Sequence, residues 1–180
     1  MENARHLNGD ERIEEGGRAL DVAYTPGHAS HHVSYFVRDA GVAFVGDTAG
    51  VRVIPGGDVV PPTPPPDIDL PAWADSLERI ERWHAETLFL THFGPAAPVG
   101  PHLSRLRENL ETTSGLVKKS LERDESDEQR EKWFVEECRR ELRRRMSESD
   151  AHTYEVAGRF DLNWRGLARF LRKTRESSTP

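Results

Sequence analysis

Two imidazoles and one carboxylate stand where they could meet. His28, Asp47 and His92 each follow directly on a segment that reads as a β-strand: residues 20–24, 42–45 and 88–91. Strand ends that converge on one edge of a sheet make a rigid place for a site, because the backbone fixes where each side chain starts. Ring nitrogens and a carboxylate suit zinc, iron or manganese. On spacing alone, a turn aspartate and two ordinary hydrogen-bonded histidines account for the same residues, and that alternative stays open.

The elements that must position these groups follow from periodicity. Residues 1–17 are polar and end in Glu14-Glu15-Gly16-Gly17, which suits a hairpin connection. Leu20, Val22 and Tyr24 alternate, as a half-buried strand requires, and Thr25-Pro26-Gly27 breaks the pattern. A second apolar run covers 33–37, and a short continuous one covers 42–45, stopping at Gly46-Asp47. Pro61, Pro62, Pro64, Pro65 and Pro66 exclude helix and central strand, because proline has no N–H to donate. An extended surface loop over the edge of the site is predicted there. A helix is predicted from Asp69 or Leu70, with Pro71 in its first turn and Trp73, Leu77, Ile80 and Trp83 as its buried stripe. Residues 87–91 read as a further strand.

From His102 onward the pattern becomes helical. Leu103, Leu106, Leu110, Val117 and Leu121 share one face of a long helix. Residues 123–130 read as a charged connection, 133–146 as a second helix carrying Cys138 and Leu142 on its apolar side, and 162–171 as a short last helix. The fold class is therefore α/β in layers. Residues 1–100 form a sheet-and-helix portion, and residues 101–180 a helical region packing on it.

Composition narrows the function. The 180 residues carry 25 Lys and Arg against 31 Asp and Glu, a formal net charge of -6, which argues against a nucleic-acid binder. The arginines at 139, 140, 143, 144 and 145 alternate with glutamates, Glu136 to Arg140 and Glu141 to Arg145 lying four residues apart, so a salt-bridged solvent face is expected there. The single cysteine, Cys138, permits no intramolecular disulfide and fits a reducing compartment. No apolar run is long enough for a signal peptide or a membrane span. A cytoplasmic protein with a small-molecule substrate, and no nucleic-acid or membrane partner, is the expectation.

The sequence around the three candidate ligands is more specific than their spacing. Thr25-Pro26-Gly27-His28-Ala29-Ser30-His31-His32, then Gly46-Asp47-Thr48, then Thr91-His92-Phe93-Gly94-Pro95 occur in this order. These stretches resemble the later metal-binding motifs of the metallo-β-lactamase superfamily, a resemblance covering about residues 18–95. It implies the C-terminal half of an αββα sandwich followed by a helical extension, and a metal-dependent, zinc-type hydrolase. Two ions are implied, with iron or manganese as alternatives to zinc. His28 would bind one, Asp47 would bridge, and His92 would bind the other. The nucleophile would be water activated at the metal.

One departure bears on activity. The family's first motif, His-x-His-x-Asp-His, occurs nowhere among the eight histidines of this chain. A site with three of the ligands is expected to bind metal weakly and to turn over little or not at all by itself. The alternative is a non-catalytic module that acts by associating with another chain. Self-association or an N-terminal partner is expected, since the sheet would otherwise leave one face open. His31, His32, Thr48 and His102 are the further residues that could line the site. For the histidines the plainer readings are one ring packed against the following strand, one in solvent, and His102 as a helix-start residue.

Overall fold

The computed structural model describes residues 6–92 and 94–177. Six strands lie in one sheet in chain order: β1 (Arg12–Glu15), β2 (Arg18–Tyr24), β3 (Val33–Val37), β4 (Val42–Gly46), β5 (Thr87–Leu90) and β6 (Gly94–Ala96). Neighbours run antiparallel except β4 and β5, which are parallel. A parallel pair needs a crossover, and helix α1 (Leu70–Glu81) lies on it. Asp69 caps α1, its carboxylate accepting from Ala72 N at 3.0 Å, and Pro71 sits in the first turn, where a missing N–H costs nothing.

Strand alternation sorts the two faces. Phe36, Ala43, Val45, Leu88, Leu90 and Ala96 point to the helical side and are buried. Trp73, Leu77 and Ile80 of α1 meet them, each wholly shielded. Replacing Leu77 by alanine would cost about 2–5 kcal/mol, the usual range for emptying a packed core position. On the opposite face Tyr35, Phe44 and Phe89 lie in register across β3, β4 and β5. Val22 and Val37 are buried on this side, but Phe44 and Phe89 stay 44% and 37% exposed, with ring centroids 5.4 Å apart.

Four further helices follow: α2 (Val99–Leu121), α3 (Asp127–Arg145), α4 (Glu148–Gly158) and α5 (Phe160–Ser177). Their apolar faces extend the core begun at the sheet, through Leu103 and Leu106 to Phe134, Tyr154, Trp164 and Leu167. Trp164 donates its indole N–H to Ser120 Oγ at 2.8 Å, so the buried ring leaves no polar atom unpaired.

Several elements differ from the sequence expectation, each for a physical reason. Residues 127–130 are the first turn of α3 rather than connection, because Ser126 and Gln129 form a reciprocal cap, at 3.0 and 3.3 Å, that starts the helix early. The last helix runs 18 residues and is not short. Helix α4 carries no mark in the sequence, since it lacks a clear apolar stripe, and Ser147 caps its start. Strand β6 is equally unmarked; it is three residues long and contains Pro95, which only an edge strand tolerates. Arg139 pairs with Glu136 and Arg144 with Glu141, three residues apart, whereas Glu136 to Arg140 does not form; Arg145 keeps Glu141 at 3.6 Å.

The proline-rich segment is extended and only partly a surface loop: Pro65 and Pro66 are exposed, but its first half is not. Pro61 and Thr63 are buried, and Thr63 is held against α5. Gly166 permits that contact: a Cβ there would lie 2.0 Å from Thr63 O. Among the described residues no helix is long and apolar enough to cross a membrane.

Candidate functional site

His28 lies in the loop after β2, where Gly27 takes a φ of 131° and approaches α1 so closely that a Cβ would meet the Trp73 backbone at 2.4 Å. The His28 side chain is mostly shielded and meets the Trp73 ring edge-on at 5.9 Å. Its Nδ1 lies 2.8 Å from Pro62 O. A carbonyl only accepts, so Nδ1 carries a proton, which leaves Nε2 as the ring nitrogen that could serve as a ligand. Nε2 faces Asp47 Oδ2 at 3.7 Å.

Asp47 opens a single 3₁₀ turn, Asp47–Ala49, immediately after β4. The Trp73 indole N–H holds this turn by donating to Thr48 O at 2.7 Å. Among the described residues Asp47 Oδ1 is buried and has no hydrogen-bond partner, a state that normally costs about 1–3 kcal/mol. His92 Nε2 lies 3.5 Å from that same oxygen, and the His92 side chain is half exposed just beyond β5. β4 and β5 run parallel in adjacent register, so Asp47 and His92 leave the sheet at the same end.

The three residues thus sit around one carboxylate, with one imidazole facing each oxygen. Separations of 3.5 and 3.7 Å are too long for good hydrogen bonds. They are close to the spacing of two ligands on one ion: bonds of about 2.0–2.2 Å at a tetrahedral angle put the ligand atoms about 3.3–3.6 Å apart. Among the described residues no group of three or more His, Cys, Asp or Glu is gathered closely enough to hold an ion. The arrangement is two pairs that share Asp47.

Behind Asp47 lies a buried polar network. Thr48 Oγ donates to Thr25 O at 3.1 Å, so towards His32 Nδ1, 3.0 Å away, it can only accept. Thr25 Oγ lies 2.9 Å from the same nitrogen and 2.8 Å from Ser34 Oγ. Burial, and then the neighbouring His28, pull the His32 pKa down to about 4, against the opposing pull of Asp47. His32 is therefore a neutral, fixed ring at neutral pH. Of the other candidates, Thr48 belongs to this network, and His31 is exposed and outside it. His102 is buried on α2, its Nε2–H donating to Ala49 O at 2.8 Å, so it braces the same turn from the other side. Two contributors carry no sequence signal: the Pro62 carbonyl, because backbone oxygens leave no mark in a sequence, and Trp73, whose spacing shows its burial but not its hydrogen bond.

The sequence model of the Metallo-beta-lactamase superfamily matches residues 3–92. A curated metallo-beta-lactamase fold-containing protein of Sulfurisphaera tokodaii is 37% identical over 92 residues, 51% of this chain and 33% of its own length. Among solved structures, a metallo-beta-lactamase family protein from Thermus thermophilus superposes with a TM-score of 0.64 at 20% identity, covering 97% of this chain and 50% of that one. An archaeal metallo-beta-lactamase superfamily protein from Sulfolobus tokodaii gives 0.54 at 25% identity, covering 91% and 51%. The chain therefore spans about a third of the length of the curated relative and about half that of these solved structures.

Proposed function

The chain belongs to the metallo-beta-lactamase superfamily, and on that footing we propose that His28, Asp47 and His92 are metal ligands of a zinc-type hydrolase. One observation carries the reading: the two oxygens of Asp47 each face one imidazole Nε2, at 3.7 and 3.5 Å, and among the described residues Oδ1 has no hydrogen-bond donor. Two imidazole nitrogens set against the two oxygens of one carboxylate, at separations too long for good hydrogen bonds, are an arrangement that a shared cation would relieve. A divalent ion of this kind supplies Lewis acidity and lowers the pKa of water enough for attack at neutral pH.

The protein's own groups prepare that chemistry. Pro62 O fixes the His28 tautomer and ring direction, as a supporting acceptor does for a ligating histidine. Trp73 and His102 brace the turn that carries Asp47. Each half of the pair has only two ligands, so we propose that hydrolysis requires donors from outside this set and that metal binding by this chain alone is weak.

The test is metal content after zinc loading and dialysis, for the native chain, His28→Ala and Asp47→Asn, with an esterase and phosphodiesterase screen beside it. Zinc retained above both variants, with background turnover, is the expected result. Identical zinc in all three would remove the metal reading, and turnover abolished by His28→Ala would show that the three ligands suffice. A second reading, a module that acts by association, is favoured by the exposed Phe44–Phe89 pair.

A further inference from the structure

Away from the Asp47 pair, a cavity of about 440 Å³ lies between the loop after the Asp47 turn, the first turn of α2, the end of α3 and helix α4. None of His28, Asp47 and His92 lines it. Its volume is within the roughly 300–1,000 Å³ of small-molecule sites. Three guanidiniums, of Arg52, Arg105 and Arg145, meet two carboxylates, of Asp58 and Asp150.

Asp58 fixes one wall. It accepts from Arg105 Nε at 2.8 Å, Asn109 Nδ2 at 2.9 Å and its neighbour Val59 N at 2.9 Å, with Arg145 at 3.3 Å. Burial raises the Asp58 pKa, but these donors outweigh it and hold the group below the usual carboxylate range. Arg105 and Arg145 are thereby partly neutralised. Arg52 is not: among the described residues it donates to Pro95 O at 2.7 Å and forms no ion pair. The first turn of α2 has no side-chain cap, so its N-terminal dipole adds to the positive field beside Arg52.

His102 supplies the second, independent observation. It is 5% exposed and lines the cavity. With Nε2–H committed to Ala49 O, its Nδ1 is an acceptor, and among the described residues that buried atom has no partner. Burial lowers the His102 pKa and the nearby Arg52 acts the same way, against the opposing pull of the Ala49 hydrogen bond. A buried bare acceptor beside an unpaired guanidinium asks for a ligand with an anionic group and a hydroxyl close to it.

We propose that this cavity binds a small hydroxylated organic anion, its carboxylate or phosphate on Arg52 and a hydroxyl donating to His102 Nδ1. Asp150 accepts a further hydroxyl. The site stands independently of any metal.

Calorimetric titration of the full chain with glycerol 3-phosphate, glycerate, inorganic phosphate and glycerol tests it. Saturable one-to-one binding of glycerol 3-phosphate or glycerate is expected, with glycerol silent, and the stronger of the two anions identifies the head group. Arg52→Met should weaken that binding about tenfold or more while leaving the urea midpoint unchanged, since Arg52 makes one peripheral hydrogen bond. Because His102→Phe could fail to fold, ¹⁵N imidazole spectra of the native chain provide the second readout: the His102 Nδ1 resonance should shift on addition of the bound anion. Absence of saturable binding by both hydroxylated anions, undiminished binding by Arg52→Met, or an unmoved Nδ1 resonance at saturation would overturn the proposal.

Discussion

Thr63 and Asn163 are joined by two hydrogen bonds: Thr63 N donates to Asn163 Oδ1 at 2.8 Å, and Thr63 Oγ donates to Asn163 O at 3.3 Å. The pair ties α5 to the segment whose Pro62 carbonyl sets the His28 ring. Asn163 Nδ2 also donates to Gly158 O. Asn163→Ala should therefore lower stability by about 1–3 kcal/mol, the cost of stranding buried partners, visible as a lower urea midpoint. It should also weaken zinc binding about 10-fold or more, as loss of ligand support does. Unchanged zinc affinity at a lowered midpoint would separate the two effects and deny the link to His28.

Asp47 makes a contrasting prediction. In chelator, Asp47→Asn should be neutral or slightly stabilising, by up to about 1 kcal/mol, because the charge on a carboxylate with an unpaired buried oxygen is removed. In excess zinc the order should reverse, since only the native chain gains binding free energy. Thermal melts in both conditions check this; a variant equally destabilised in each would mean Asp47 serves structure alone.

Asp58 should shape the acid limb of the stability curve. Its folded pKa lies below the ordinary carboxylate value, so its contribution is present above the unfolded pKa near ~3.9 and is lost as pH falls through the folded value. Asp58→Asn should cost about 1–3 kcal/mol at neutral pH by stranding Arg105, Asn109 and Arg145. The gap between native and variant should close in the most acidic melts. A gap constant from pH 7 to pH 2 would contradict it.

Cys138 should be inert to thiol reagents in the native state. Burial first, then the flanking Glu137 and Glu141, push its thiol up to about 12, which leaves almost no thiolate at neutral pH. Reaction with an aromatic disulfide should begin only when denaturant opens the α3 interface. Rapid labelling of folded protein would refute this placement.

The sheet face bearing Phe44 and Phe89 should mediate association. Phe44→Glu with Phe89→Glu should lower the sedimentation coefficient of concentrated samples with little change in melting temperature, because both rings already meet solvent. A native chain that sediments as a monomer at every concentration would sink this prediction.

What can be read in advance follows from periodicity and cap chemistry. The α1 stripe of Trp73, Leu77 and Ile80, the Asp69 start and the strand ends before Asp47 and His92 are written in side-chain type. Strand β6 and helix α4 are not: three residues have no period, and α4 owes its place to Ser147 and to packing of Ala151 and Tyr154. The site divides likewise. His28, Asp47 and His92 can be singled out, but the Pro62 acceptor, the Trp73 and His102 braces and the unpartnered Asp47 oxygen arise only once distant segments meet.

The close approach of Gly166 to Thr63 also has a consequence for timing. β2, β4, β5 and α1 precede α5 in the chain, so the elements that carry the three candidate ligands are synthesised before the helix that clamps residues 61–66. Until α5 docks, Thr63 lacks its Asn163 partner, and the Pro62 carbonyl that orients His28 lacks that clamp. If these residues take up an ion, the His28 ring meets it with full support only once α5 has docked behind the loop.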